Sequence, residues 1–332
     1  AFPWLWINFG PGIMAGFVGS EVNSVSDPQE TVWFSVPEKL ELQDIELTYN
    51  AQNAWWLRVQ ELTAAFQQRF QGQLAVSHTD LGGNLDILAS FRETQPLLFD
   101  LLDQPEEVER LAGRITSLWR RYYDALYDLI RSACRGTTCW TPLWSTGKTY
   151  MLQCDFSYMI SPEMFERFAL PDLTACCELL DHGFYHLDGK GQIIHLDHLL
   201  SISRLRGIQW IPGDGQPPPD QWLPLLKRIR DGGKLCQVFV SPEGARTIAK
   251  NLGGKGFSRV VSNPSQIGSI SGRTTPNSDP RKSSSDALCT RRRGRNHRRR
   301  HHPRTGADRR LAQPACDPAH SGPRSLPAVP AL

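Results

Sequence analysis

FYHLDGKGQIIHLDHLL, residues 184–200, uses the triplet His-Leu-Asp twice, nine residues apart, and the two copies follow different periods. In the first, Phe184, His186 and Asp188 alternate with Tyr185 and Leu187, which is the period-2 pattern of a strand. Tyr185 and Leu187 suit a face covered by helices, so His186 and Asp188 point the other way. In the second copy Leu196, Leu199 and Leu200 fall at i, i+3 and i+4, the period of a short amphipathic helix. His195 and His198 are expected on its polar side, near solvent, binding neither metal nor substrate. RGIQWI at 206–211 is the next apolar run. Strand, helix and strand in this order make a βαβ unit, which implies parallel strands.

The same rhythm extends in both directions. Val108, Leu111, Ile115, Leu118, Tyr122, Leu126 and Leu129 step by three and four, a single apolar helical stripe, and Asp103 with Glu106 reads as a capping box at its start. SPEMFERFALPDLTACCELLDHG, 161–183, reads as one helix with Ser161 as N-cap, Pro162 in the first turn and Gly183 at its close. SPEGARTIAKNLGG repeats that start at Ser241. The runs QLAVSH, CWTPLW, YMLQCD, FYHLDG, RGIQWI and KLCQVFV read as strands between helices. Roughly seven strands within about 250 residues, with no Gly-x-Gly-x-x-Gly loop after any of them, favour a (β/α)8 TIM barrel over a doubly wound sheet. The barrel is expected to be incomplete at both ends.

Composition divides the chain. Residues 1–258 carry 22 Lys and Arg against 30 Asp and Glu, whereas 259–332 carry 15 against four, and no aromatic residue lies beyond Phe257. The expected domains are therefore a barrel over 1–258 and a disordered basic tail over 259–332. Fourteen of the tail's 15 basic residues are Arg. That bias suggests out-of-frame translation of the barrel's closing units from about Phe257, with a genuine disordered tail as the alternative. RRRGRNHRRRHHPR, 291–304, could neutralise phosphates, but it lacks interleaved aromatics, so nucleic acid is not the expected partner. The first 20 residues are uncharged. Pro3, Asn8, Pro11 and four glycines make them a buried strand and turn rather than a membrane span, with the chain starting inside a domain. Eight cysteines without a Cys-x-x-Cys pattern fit free thiols in a reducing cytoplasm.

In barrel enzymes chemistry sits where strands end, so polar residues at strand C-termini carry the functional reading. His186 and Asp188 could form a base with its orienting partner, two ligands of a hard or borderline metal, or a hydrogen bond that merely closes the barrel end. Asp155 ends YMLQCD on the face of Met151 and Gln153 and leads through Ser157 and Tyr158 into a helix N-terminus. Asp80 precedes a Gly-Gly turn. Trp210 ends its strand before a Pro-Gly loop as a flat apolar wall. Asp155, His186 and Asp188 are the expected catalytic residues, and Asp80, Tyr158 and Trp210 are expected to line the substrate cleft.

Four blocks, DLGGNLDILASF, MLQCDFSYMISPEMFERFALPDL, YHLDGKGQIIHLDHLL and LRGIQWIPGDG, together resemble the uroporphyrinogen decarboxylase family, nearest its decarboxylase-like branch that shades into corrinoid-dependent methyltransferases. The resemblance covers about residues 1–257. It implies a cytoplasmic TIM-barrel enzyme that decarboxylates a tetrapyrrole or transfers a methyl group linked to a corrinoid, with a corrinoid protein as partner. It implies zinc only in part: His186 stands at the family's zinc-binding His, whereas Asp188 stands where the methyltransferases place a Cys. Decarboxylases proper use no cofactor and carry an N-terminal Arg-rich motif that this sequence does not have. A catalytically inactive fragment and a basic-tail nucleic-acid binder are the alternatives.

Overall fold

Residues 182–211 fold as a strand β6 (His182–Asp188), a six-residue 3-10 helix (Lys190–His195), a short α-helix, and a second strand β7 (Leu205–Ile211) parallel to the first. The computed structural model describes residues 3–23, 32–36, 38, 40–131 and 136–261, all within one compact unit, Ala1–Thr275. The chain is mixed α/β. Its other strands are β1 (Trp4–Leu5), β2 (Glu21–Asn23), β3 (Trp33–Ser35), β4 (Ala75–Val76), β5 (Thr149–Leu152), β8 (Leu235–Val240) and β9 (Phe257–Val261). Its helices are α1 (Met14–Phe17), α2 (Ala54–Phe70), α3 (Asn84–Arg92), α4 (Thr94–Asp103), α5 (Pro105–Arg131), α6 (Pro162–Phe168), α7 (Leu170–Leu179), α8 (Leu196–Ser201), α9 (Leu223–Asp231) and α10 (Pro242–Leu252).

Strands β5 to β9 form one parallel sheet in sequence order, and β1 pairs parallel with β4. A single bond from the His78 N–H to the Thr138 carbonyl, 3.1 Å, reaches from the β4 side toward residues 137–145. Among the described residues these two sets do not close into a barrel. β9 runs three residues past the expected boundary at 258; the basic tail, its Arg run and the suggested frame change from 262 onward lie outside the described residues.

Several local expectations are corrected. CWTPLW is a loop, closed by an antiparallel bridge between Thr137 and Ser145, because Pro142 has no N–H to donate to a ladder. The helix expected over 161–183 is two helices. Pro171 enters the first turn of α7, and Ala169 bends between α6 and α7. Gly183 is a strand residue, and Asp103 ends α4 rather than capping α5. Ser161 and Ser241 are N-caps as their Ser-Pro-Glu contexts require, accepting from the N–H groups of Met164 and Gly244.

The core lies between sheet and helices. Val108, Leu111, Ile115, Leu118, Tyr122 and Leu126 bury the stripe of α5, which packs against α2, α3 and α7. The uncharged N-terminal segment supplies β1 and the fully buried α1. Among the described residues no helix is long and apolar enough to cross a membrane.

Candidate functional site

In parallel strands, paired residues point to the same side of the sheet. His186 pairs with Gln209, and Gln209 pairs with Gln237, so three polar side chains from β6, β7 and β8 share one buried layer. Below it, Phe184 pairs with Gly207, whose missing side chain makes room for the phenyl ring. Above it stand Asp188, the last residue of β6, and Asp155, which does not end a strand as expected but opens a 3-10 turn three residues past the end of β5. One ligand atom each from Asp155, His186 and Asp188 lie within 4.8 Å of one another. His186 Nε2 is 3.7 Å from Asp188 Oδ2, an ion-pair distance.

Two further carboxyls border this group. Asp80 is buried between two glycine turns, accepting from the N–H groups of Gly82, at 2.9 Å, and Gly12. The turns touch: a Cβ on Gly82 would lie 2.7 Å from the Gly12 Cα, and both residues have positive φ, so only glycine fits at this contact. Asp86, in the first turn of α3, accepts from the backbone N–H groups of Asp155 (3.0 Å) and Phe156 (2.7 Å). It therefore fixes the backbone from which the Asp155 side chain projects.

Burial pushes the Asp80 carboxyl up to about 7, against the pull of the two glycine N–H groups and the His186 charge. Burial also raises Asp86, where the Asp155 charge adds to it, and Asp155, where the His186 charge opposes it and those of Asp188 and Asp80 add to it. His186 goes the other way. Burial disfavours its cation, but Asp188 and Asp155 outweigh that and raise the imidazole to about 9. The group is thus an imidazolium ringed by more carboxyls than it can neutralise.

Tyr158 and Trp210 lie in different surroundings. Tyr158 is half exposed at the mouth, its ring over the turn after β6, where a Cβ on Gly191 would come within 2.6 Å of it. Trp210 is not a cleft wall. It pairs with Leu187 on the helix side and is fully buried against Trp222, ring centres 5.1 Å apart. The aromatic wall beside His186 is Trp140, edge-on with centroids 5.2 Å apart and anchored by an Nε1 bond to the Met151 carbonyl.

His195 is buried rather than near solvent. Its Nε2 donates to the Ser157 carbonyl at 2.8 Å and its ring stacks on Phe165. The residue sits at the junction before α8, so the polar face of that helix does not determine its surroundings. His198 is half-buried beside the same ring, and neither imidazole belongs to the Asp155, His186 and Asp188 group.

Sequence reasoning did not single out Gln209, Gln237, Thr141, Trp140 or Asp86. The signal for the glutamines was one polar residue in the middle of each apolar run, GIQWI and LCQVF.

The donor set suits a hard or borderline divalent cation. Asp155 Oδ1 and Gln153 Oε1 are buried acceptors without a hydrogen-bond partner. A thiolate-rich zinc site fits less well. Among the described residues the free cysteines are all buried, and burial pushes the thiols of Cys139, Cys177 and Cys236 up to about 12 and raises those of Cys154 and Cys176 well above the ordinary thiol range.

No family model matches the chain, and no curated protein matches it. Among solved structures, a methyltransferase from Methanosarcina mazei is similar at 11% identity over 69% of this chain and 72% of that one, with a TM-score of 0.50. At this identity the likeness establishes the fold.

Proposed function

We propose that this chain is a methyltransferase of the barrel type resembling the uroporphyrinogen decarboxylase family, taking its methyl group from a corrinoid, with its site at the Asp155, His186 and Asp188 group. The observation that carries this reading is the convergence of those three donors, from the end of β6 and the turn after β5, with Asp155 Oδ1 buried and unpartnered. The likeness in fold to a methyltransferase agrees with it. Asp155, Asp188 and His186 Nε2 would hold a divalent cation, which when bound supplies Lewis acidity that favours the thiolate form of an acceptor thiol. Asp86 holds the backbone of Asp155 in place, and Trp140 and Tyr158 offer flat surfaces to an apolar substrate.

Decarboxylation is the second reading, favoured by the raised imidazole of His186. Its Nε2 proton could pass to the carbanion left when carbon dioxide departs, with no cation needed. Elemental analysis of the purified protein, followed by titration with Zn2+, Co2+ and Mn2+, separates the two. Methyl transfer predicts a bound cation and cation-dependent loss of the methylcobalamin absorbance in the presence of a thiol. Carbon dioxide release from a porphyrinogen without a cation would replace the first reading by the second, and neither activity would overturn both.

A further inference from the structure

A buried amide can be oriented by whichever neighbour has a fixed role, and here the fixed neighbour is a carbonyl. The Pro142 carbonyl only accepts, so the amide 3.0 Å from it must turn its Nε2 that way; this amide belongs to Gln237. Gln237 Oε1 therefore faces Gln209, whose Nε2 donates to it at 2.6 Å and to Thr141 Oγ1 at 3.1 Å. Thr141 in turn directs its hydroxyl hydrogen toward Gln237 Oε1, at 3.4 Å. That leaves Gln209 Oε1 against His186 Nδ1. A carbonyl oxygen accepts, so Nδ1 must carry a hydrogen. Thr141, Gln209 and Gln237 are all buried, so water does not offer an alternative set of partners.

We propose that the Pro142 carbonyl, acting through Gln237 and Gln209, locks neutral His186 in the Nδ1–H form and leaves the Nε2 lone pair facing Asp188 and Asp155. Gln209 and Gln237 are positioning residues: buried behind the ring, they set which ring atom can take a proton or a cation. The proposal rests on His186 being the working group of the proposed site. It adds that the chain chooses the atom in advance, from a carbonyl two side chains away.

The test uses full-length protein labelled with 15N-histidine, free of added cation, at a pH high enough that the His186 nitrogen signals no longer move with pH and the ring is neutral. Nitrogen shifts and two-bond couplings distinguish the two neutral forms. The expected result is Nδ1–H at His186 in the wild type, loss of that preference in Gln209→Leu, and its retention in Gln209→Glu, which still offers an acceptor to Nδ1. Zn2+ affinity should fall about 10–100-fold in Gln209→Leu, the range for lost outer partners of a ligating His, and recover to within about threefold in Gln209→Glu. A wild-type proton on Nε2, or an unchanged tautomer in a folded Gln209→Leu protein, overturns the relay. The wild-type measurement decides even if that variant does not fold. Failure of Zn2+ to bind the wild type would count against the proposed site while the nitrogen spectrum still decides the relay.

Discussion

Replacing His186 with Gln should make stability depend on pH in a way fixed by the surrounding charges. The imidazole is raised from 6.5 to about 9 although burial opposes the cation, because Asp188 and Asp155 stabilise it. At about 1.4 kcal/mol per pKa unit, this makes the charged ring worth about 3 kcal/mol to the folded state. A base whose folded value exceeds its unfolded value contributes fully below the unfolded value and loses that contribution as pH rises through the folded one. The His186 term is therefore complete below about pH 6.5 and gone above about pH 9. Without the cation, Asp155 and Asp80 take up protons more readily and recover part of the loss, so about 3 kcal/mol is an upper value. Urea unfolding followed by tryptophan fluorescence at about pH 6, 8 and 10 should show the gap between wild type and His186→Gln shrinking toward zero. A gap of equal size at all three would mean that His186 contributes by packing alone.

Asp172 lies outside the site, buried in α7 with its carboxylate accepting from Thr116 Oγ1 at 2.5 Å, and burial raises it to about 6. A carboxyl raised in this way favours the folded state below about pH 4 and loses that advantage as pH rises through 6, so Asp172→Asn should raise Tm at about pH 8 and leave it unchanged near pH 4 in thermal scans. Gly207→Ala would place a Cβ 2.3 Å from the Phe184 ring, costing about 1–3 kcal/mol in denaturant unfolding, and adding Phe184→Leu should return part of it. Asp188→Asn should weaken Zn2+ or Mn2+ binding at least about tenfold by calorimetry, and unchanged affinity would remove Asp188 from the ligand set.

The strand-end residues were legible because parity along a strand is exact. Once FYHLDG is read as period 2, His186 and Asp188 must share a face. The same parity does not reach Asp155, because β5 ends at Leu152 and Asp155 opens a 3-10 turn whose backbone is held by Asp86. Trp210 follows the same rule: it stands near a strand end, but the neighbouring Gln209, polar in an apolar run, assigns the inward face to the other parity. CWTPLW has the hydrophobicity of a strand, but Pro142 within it interrupts any ladder. His195 could not have been placed from periodicity, since it belongs to the junction before α8, and its partners, Ser157 and Phe165, come from 38 and 30 residues earlier. Asp86 was hidden for a related reason: its place in the first turn of α3 looks like ordinary helix capping, and its role is to accept N–H groups about 70 residues further along.

The charge balance of the site argues for a cationic occupant independently of any resemblance. Asp80, Asp86 and Asp155 are each raised above the ordinary carboxyl range, chiefly by burial, while one imidazolium is the cation that the cluster itself supplies. A site built for structure alone would be expected to pair or replace such groups, because burying carboxylates without enough opposite charge is strongly unfavourable. Instead the fold invests rigid parts in keeping them there: glycine turns in contact at Asp80, backbone N–H groups held by Asp86, and a fully bonded glutamine layer behind His186. Asp155 Oδ1 is left buried and without a partner in the middle of this construction. A divalent cation would satisfy that oxygen and restore the balance among the carboxylates while displacing a proton from His186 Nε2. This is why the cation-dependent reading stands ahead of acid catalysis by the imidazole alone.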